Sequence, residues 1–104
     1  MNRKEFIEEE IKKEPNNPFN YYLLAFEYKK QGDFINLETI AEYILEIHAD
    51  YQPIYYFYAE YLYYTNKEIL GKAIALKGIK LANKNKNNKI VNELEQLIEI
   101  NEYD

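Results

Sequence analysis

The chain has 104 residues, a length that fits one ordinary domain. Its hydrophobic content of 47% and charged content of 30%, with only three glycines and three prolines, exclude a collagen-like or generically disordered chain. The formal net charge of −5 opposes the attraction to phosphates that dominates nucleic-acid binding, so nucleic acid is not an expected partner.

Several residue types that catalytic sites depend on are missing. The chain has no Cys, Trp or Ser, and only one His and one Arg. Without Cys there can be no disulfide, thiolate zinc site or redox thiol. Carboxylates, tyrosines, lysines and a single imidazole leave little for nucleophilic chemistry. We therefore expect a non-enzymatic protein with no catalytic residues, no metal and no cofactor.

The N-terminal segment predicts a helix over residues 3–13, because three residues form one apolar edge on an otherwise charged stretch: Phe6, Ile7 and Ile11. Charged residues at Arg3, Lys4 and Glu5 stand where a signal peptide needs an apolar region. No stretch approaches the roughly 18 consecutive apolar residues of a membrane span. We expect a cytoplasmic protein that does not contact membranes. Residues 14–18, with two prolines, predict a turn.

The next segment predicts a helix hairpin. Apolar residues at the i, i+3, i+4 and i+7 positions of an amphipathic helix are Tyr21, Leu24, Ala25 and Tyr28. Gly32 is suited to the left-handed conformation that ends many helices, and Asp33 can cap the following helix. That helix carries its own apolar residues: Leu37, Ile40, Ala41, Ile44, Leu45 and Ile47.

The hairpin pattern then recurs. Residues 18–51 align with residues 52–85 without a gap, and six positions are identical. These pairs are Tyr21 with Tyr55, Tyr22 with Tyr56, Ala25 with Ala59, Ile35 with Ile69, Ile40 with Ile74 and Ala41 with Ala75. Asn66 stands where Gly32 stood, and Asn also tolerates a left-handed turn. A fixed period built from a helix hairpin is the signature of a repeat protein.

A polar loop and a last amphipathic helix follow the second copy. The loop spans residues 83–88, and the predicted helix spans residues 88–101. Five apolar residues form one face of that helix: Ile90, Val91, Leu94, Leu97 and Ile98.

The repeat pattern resembles the tetratricopeptide repeat family, in which W-x2-L-G-x2-Y is followed by A-x3-F and a proline. Tyr21, Leu24, Ala25 and Tyr28 occupy the first four positions of the first copy. The second copy has Tyr55, Tyr58, Ala59 and Leu62 there. Two features depart from the family pattern: the small-then-large pair is reversed at Leu37 and Ala41, and the closing proline is Ala49 or Asn83.

The resemblance implies an all-α fold in which antiparallel helix hairpins stack as a short α-solenoid. Residues 1–104 would form one tetratricopeptide-like domain. Its parts would be an N-terminal cap helix (3–13), repeat 1 (18–51), repeat 2 (52–85) and a C-terminal capping helix (88–101). Repeat arrays need such caps, because each repeat exposes an apolar face to the next.

The second copy is unusually rich in aromatic residues, with seven tyrosines and one phenylalanine between Tyr51 and Tyr64. Helical spacing divides them into three faces. Tyr55, Tyr58, Ala59 and Leu62 point to the partner helix of the hairpin. Phe57, Tyr61 and Tyr64 form a second face, expected under the capping helix. Tyr56, Glu60 and Tyr63 form the third.

In the family, the first helix of each repeat lines a concave groove. The resemblance therefore implies a peptide-binding groove with six lining residues: Tyr22, Phe26, Lys29, Tyr56, Glu60 and Tyr63. The expected function is that of an interaction module, a scaffold or adaptor, which holds a peptide or helix of another protein. Some family members clamp a terminal carboxylate with lysine and asparagine. Aromatic Tyr22 and Phe26 stand at such positions here, so that clamp is not expected.

Alternative interpretations remain open at this point. The exposed tyrosine face could instead make the protein a structural homodimer, or a terminal segment could fold across the rings. His48 lies in the last turn of a predicted helix, where its partial positive charge suits the helix dipole. Glu38, Glu42 and Glu46 recur every fourth residue, which is typical of a solvated helix face. The five lysines between Lys77 and Lys89 are the one basic stretch, but phosphate sites favour arginine.

Overall fold

The computed structural model describes residues 1–102, and that part of the chain consists of six α-helices with no strand. In chain order they are α1 (Arg3–Lys13), α2 (Pro18–Gln31), α3 (Phe34–Ile47), α4 (Pro53–Tyr64), α5 (Glu68–Lys84) and α6 (Asn88–Glu102). The predictions of an all-α fold and of six helices are confirmed. No helix among these residues is long and apolar enough to cross a bilayer.

Side-chain caps define the beginnings of the first three helices. The side chain of Asn2 accepts a hydrogen bond from the backbone N–H of Glu5 at 2.8 Å. Asn17 caps α2, whose first residue is Pro18, and Asp33 caps α3. Each cap satisfies an amide that has no partner inside the helix.

Left-handed residues end the first helix of each hairpin. Gly32 has φ 71° and stops α2, and Asn66 has φ 64° in the turn between α4 and α5. Both are the residues that the repeat pattern singles out for this conformation. The turn prediction is therefore confirmed in both copies.

The helices form two compact units that divide between Tyr51 and Gln52, where the second copy of the repeat pattern begins. In the first unit, α2 packs against both α1 and α3. In the second unit, α5 packs against α4 and α6, and α4 also contacts α6. Neighbours in sequence are thus neighbours in space within each unit, as expected for helix hairpins.

A buried ion-pair cluster joins α1 to α2 in the first unit. The side chain of Glu27 is almost fully buried, yet its carboxylate forms ion pairs with Arg3 Nε at 3.0 Å and with Lys30 Nζ at 3.1 Å. Arg3 is the only arginine of the chain. The side chains of Arg3 and Lys30 are 63% and 67% exposed, so the buried carboxylate is balanced by two cations that remain in contact with solvent. The cluster therefore connects α1 to α2. Among the described residues, the apolar core of the first unit has six buried members: Ile7, Leu24, Ala25, Leu37, Ala41 and Ile44.

The core of the second unit depends on a very close approach of α5. Gly78 lies so near its neighbours that an added Cβ would stand 2.6 Å from Tyr55 Cβ and 2.9 Å from Leu94 Cδ1. The side chain of Gln52 also donates a hydrogen bond to the Gly78 carbonyl at 3.0 Å. Gly78 thus brings α5 into contact with both α4 and α6. Around it lies a set of fully buried residues: Ile54, Ala59, Leu62, Ala75, Ala82 and Leu94.

We predict that Gly78→Ala destabilises the fold, because the Cβ of Tyr55 cannot move without moving α4. Overpacking of this kind typically costs about 1 to 3 kcal/mol, and the better helix propensity of alanine returns at most about 1 kcal/mol. Gly71→Ala is the matched control, since its added Cβ would meet its nearest atoms at 3.3 Å and should cost less. Urea denaturation of both variants measures the difference. Equal stabilities would contradict the packing described here.

Candidate functional site

The surface of α4 is a single narrow stripe. Eight of its residues are buried, and the exposed remainder is Pro53, Tyr56, Glu60 and Tyr64. Their spacing of three, four and four residues places them along one side of the helix. We call these four residues the α4 stripe. Tyr56 is 38% exposed and Tyr64 is 75% exposed, so two large aromatic side chains face solvent with a carboxylate between them.

The equivalent positions of the first copy form a matching stripe on α2. This α2 stripe consists of Phe19, Tyr22, Phe26 and Lys30. The rings of Phe19 and Phe26 are exposed, and Tyr22 is half-buried. Tyr22 packs edge-to-face on Phe26 at 5.0 Å between ring centroids, and on Tyr51 at 5.5 Å. Both stripes therefore carry exposed aromatic rings, but only the Tyr22 and Tyr56 position is aromatic in both copies.

Five of the six residues predicted for the groove lie on these stripes or beside them. Tyr22 and Phe26 belong to the α2 stripe, Tyr56 and Glu60 belong to the α4 stripe, and Lys29 is half-buried on α2. The sixth, Tyr63, is only 7% exposed. Its ring occupies the space that Gly71 leaves open on α5, 3.3 Å from where a Cβ at that glycine would stand.

Tyr64 was predicted to lie under the capping helix together with Phe57 and Tyr61. Phe57 and Tyr61 are buried, but Tyr64 is the most exposed tyrosine of α4. The prediction for Tyr64 is wrong. Helical spacing places both Tyr63 and Tyr64 near the side of Glu60, and Tyr63, not Tyr64, packs into the space beside Gly71. Phe19 stands three residues before Tyr22 on the exposed side of α2, and it was not among the residues predicted for the groove.

The electrostatic environment of Tyr56 is acidic. Partial burial raises the pKa of its phenol above the usual value, and the nearby carboxylates of Glu60 and Glu93 raise it further. Glu93 lies on α6, so this side of α4 is bordered by a carboxylate from a second helix. No periodicity in the sequence could have revealed Glu93, because the two residues are far apart in the chain and lie on different helices.

Tyr63 lies at a small cleft within the second unit. The cleft has a volume of about 330 Å³ and is lined by Tyr63, Glu68, Ile69, Lys72, Asn101 and Glu102. Lys72 Nζ and Glu102 Oε1 form an ion pair across it at 2.7 Å. The Tyr63 hydroxyl is buried and has no hydrogen-bond partner among the described residues. Burial raises the pKa of this phenol, the Glu102 carboxylate raises it further, and Lys72 opposes the shift.

A second aromatic cluster closes the end of the first unit. The rings of Tyr21 and Tyr43 lie 4.9 Å apart, and His48 packs beside both at 6.2 Å. The Tyr21 hydroxyl donates a hydrogen bond to the Pro15 carbonyl at 2.7 Å. His48 is the C-cap of α3, one residue beyond the last turn in which the sequence placed it. The cluster joins the turn after α1 to the end of α3.

The comparisons with known proteins give no family assignment. The chain matches no protein-family model, no curated protein and no solved structure. Among the described residues, no group of three or more His, Cys, Asp or Glu side chains is arranged to hold a metal ion. The resemblance to tetratricopeptide repeats thus depends on the residues quoted from the two copies of the repeat pattern.

We predict that Tyr63→Phe stabilises the fold by about 1 kcal/mol, because it removes a buried hydroxyl that has no partner among the described residues. Tyr21→Phe is the matched control. It removes a hydroxyl that makes a 2.7 Å hydrogen bond and should cost about 0.5 to 1 kcal/mol. Thermal and urea denaturation of both variants measure whether each substitution raises or lowers the free energy of unfolding. A loss of stability in Tyr63→Phe would show that its hydroxyl is satisfied in solution.

The tyrosines also predict an alkaline loss of stability. Tyr21, Tyr51, Tyr56 and Tyr63 all have a pKa raised above the ordinary value of 10.0 in the folded protein. The unfolded chain therefore releases these protons first as the pH rises, and it then binds fewer protons than the folded chain. The free energy of unfolding should be unaffected by these groups below pH 10 and should fall above it.

Urea denaturation at intervals between pH 7 and pH 11.5, with tyrosine ionisation followed by absorbance, tests this expectation. A variant carrying Tyr51→Phe and Tyr56→Phe is the control and should lose less stability over the same interval. A free energy of unfolding that rises above pH 10 would contradict the prediction.

Proposed function

We propose that the protein is a non-enzymatic interaction module of tetratricopeptide-like architecture, a scaffold or adaptor that binds a peptide or helix of another protein. The observation that carries the proposal is the pair of aromatic stripes. The first helix of each hairpin exposes aromatic rings along the corresponding side, Phe19 and Phe26 on α2 and Tyr56 and Tyr64 on α4, and one position, Tyr22 and Tyr56, is a tyrosine in both copies. The proposal includes the α-solenoid arrangement of the hairpins that the resemblance to tetratricopeptide repeats implies.

The exposed tyrosines of α4 support a binding role because part of each ring remains in contact with solvent. The helix already buries eight residues, and Tyr64 keeps three quarters of its surface in solvent. Tyrosine offers a large apolar area with a polar tip and few rotatable bonds, and it is enriched among the residues that dominate interface energies. Burial of Tyr56 and Tyr64 by a partner would therefore stabilise a complex.

The size of the stripe fits a short helical or extended segment. Tyr56 and Tyr64 are about two helical turns apart, which corresponds to about 12 Å along a helix. A partner helix of two to three turns could place one side chain on each ring, as in other helix-in-groove complexes.

Homodimerisation through the α4 stripe is less favoured by the local charges. A two-fold dimer contact places the same patch of both copies together. Such a contact would bring the carboxylates of Glu60 and Glu93 near those of the other copy, and like charges brought together oppose association. A different protein with complementary charge avoids this repulsion.

We predict that Tyr56→Ala together with Tyr64→Ala abolishes capture of the partner. Each well-buried aromatic anchor contributes about 2 kcal/mol at an interface, so the double variant should bind several-hundred-fold more weakly. The measurement is affinity capture from the native host with quantitative mass spectrometry of each captured protein. Tyr22→Ala with Phe26→Ala tests the α2 stripe in the same way.

The matched control is Ile35→Ala with Phe6→Ala, which removes two exposed apolar side chains outside the stripes. Circular dichroism must show that all variants remain folded. Retention of every captured protein by both stripe variants would contradict the proposed function. The lysines between Lys77 and Lys89, all exposed, would then be the next surface to test.

A further inference from the structure

We propose that the exposed side of α5 is a second binding surface, which takes an acidic segment of another protein. The carboxylates of that segment contact four lysines: Lys77, Lys80, Lys84 and Lys86. An apolar side chain of the same segment packs on the exposed apolar residues that precede these lysines on α5. The surface uses none of the residues of the α2 and α4 stripes, so the inference goes beyond the proposed function and does not depend on it.

The first observation is that positive charge is concentrated in one part of the chain. Residues 69–92 contain six lysines and no acidic residue, whereas the rest of the chain carries all 18 acidic side chains and only seven basic ones. This segment covers most of α5 and the turn after it. It is therefore positively charged in a protein whose formal net charge is −5. Complementary charge at such a surface favours an acidic partner.

Most of these lysines have no acidic partner within the protein. Among residues 1–102, four of them form no ion pair: Lys77, Lys80, Lys84 and Lys86. Lysines on α1 differ, because Lys12 and Lys13 each pair with a glutamate three residues earlier. The segment 69–92 offers no carboxylate at that spacing. The four charges are therefore available to a partner.

Helical spacing places three of the lysines in one row. Lys77, Lys80 and Lys84 stand three and four residues apart on α5, so they lie on the same side of the helix, and all three are exposed. The row is about 10 Å long, and Lys86 lies in the turn just beyond it. About two turns of a partner helix, or about four residues of an extended segment, span this distance.

The backbone of Lys86 gives independent support. Its φ of 56° lies in the left-handed region that the two hairpin turns fill with Gly32 and Asn66. A lysine tolerates this conformation less well than glycine or asparagine does. Lysine is therefore not the residue that the turn itself favours, and a role for its charge accounts for its presence there.

The first half of the same exposed side is apolar. Ile69 is 92% exposed, Leu76 is half exposed, and Ala73 lies between them in the same row. A shallow pocket of about 460 Å³ opens here, and Ile69, Leu70 and Ala73 are part of its lining. We call these apolar residues and the four lysines the α5 surface. It offers apolar contacts at its beginning and positive charge at its end.

A short acidic segment fits the α5 surface better than a membrane or a nucleic acid does. A helix that lies on a membrane has apolar residues along one side and lysines along the other, so that only the apolar side enters the lipid. On α5 the apolar residues and the lysines follow each other along one side, and lipid that covered the first would cover the second. A nucleic acid would extend beyond a row of about 10 Å and bring its phosphates near the acidic remainder of the chain.

Two synthetic peptides test the inference directly. Each has about 16 residues, enough for an isolated helix to begin to form, with leucines and one tryptophan at one end. The other end carries four glutamates in one peptide and four glutamines in its twin. The protein has no tryptophan, so peptide fluorescence reports binding, and backbone amide shifts of residues 69–86 report where the peptide binds. The glutamate peptide should bind at the α5 surface, and the glutamine twin should bind at least about tenfold more weakly.

Two triple variants with the same change of net charge test the lysines. The first replaces the row on α5 and should weaken the glutamate peptide about tenfold, the combined effect of three exposed charge contacts: Lys77→Gln, Lys80→Gln and Lys84→Gln. The matched control replaces three lysines of α1 and should leave the affinity unchanged: Lys4→Gln, Lys12→Gln and Lys13→Gln.

Lys86→Asn separates a lost contact from a lost fold. It should weaken the glutamate peptide about twofold, as expected for one exposed charge contact. It should also raise the midpoint of thermal unfolding, because asparagine adopts the left-handed conformation more readily than lysine. A general loss of structure would lower both the affinity and the midpoint. Wild-type affinity in this variant would overturn the inference.

Equal affinities of the two peptides would overturn the inference, and so would an affinity that the α5 triple variant leaves unchanged. Vesicles containing phosphatidylserine and a single-stranded DNA oligonucleotide serve as competing probes at the same ionic strength. Tighter binding of either probe than of the glutamate peptide would overturn the inference. A dimer in light scattering that the α5 triple variant disrupts would overturn it in favour of a second copy of the chain. None of these results concerns capture through the α2 and α4 stripes, so the proposed function would still stand.

Discussion

The close approach of α5 to α4 is the constraint on which the second unit depends. Gly71 and Gly78 carry no side chain where the two helices meet, and an alanine at Gly78 would collide with Tyr55. This approach closes the core over Ala59 and Ala75 and opens the space that holds the Tyr63 ring. Because α5 and α6 cover the other sides of α4, one row of residues remains exposed. The two glycines thus provide the space in which Tyr55 and Tyr63 of α4 are buried.

The features of the fold that depend on local signals were predicted correctly from the sequence. Helix number, the left-handed turns at Gly32 and Asn66, and the capping role of Asp33 follow from residues within a few positions of each other. The exposed side of α4 was predicted only in part. Tyr63 and Tyr64 are adjacent on the helix, and the choice between them depends on Gly71, which lies on another helix. Spacing along one helix cannot supply that information.

The buried ion pair of the first unit shows the same limit. Glu27 follows the exposed Phe26 and precedes Tyr28, and a charged residue in a helix is normally expected at the surface. Its burial depends on Arg3, which lies on another helix, and on Lys30, one turn later. The Lys30 contact is visible as a helical spacing, but the Arg3 contact requires that α1 already lies against α2. Long-range partners of charged residues are therefore the part of the structure that a single sequence conceals.

The two stripes share positions but differ in chemistry. Tyr22 and Tyr56 are the same residue, whereas Phe26 is replaced by Glu60 and Lys30 by Tyr64 at the equivalent positions. Lys30 also forms an ion pair with the buried Glu27. The basic residue of the α2 stripe therefore already has an acidic partner in the first unit. Equivalent backbones with different side chains are expected to select different segments, because specificity is a difference between affinities and repulsive groups contribute to it.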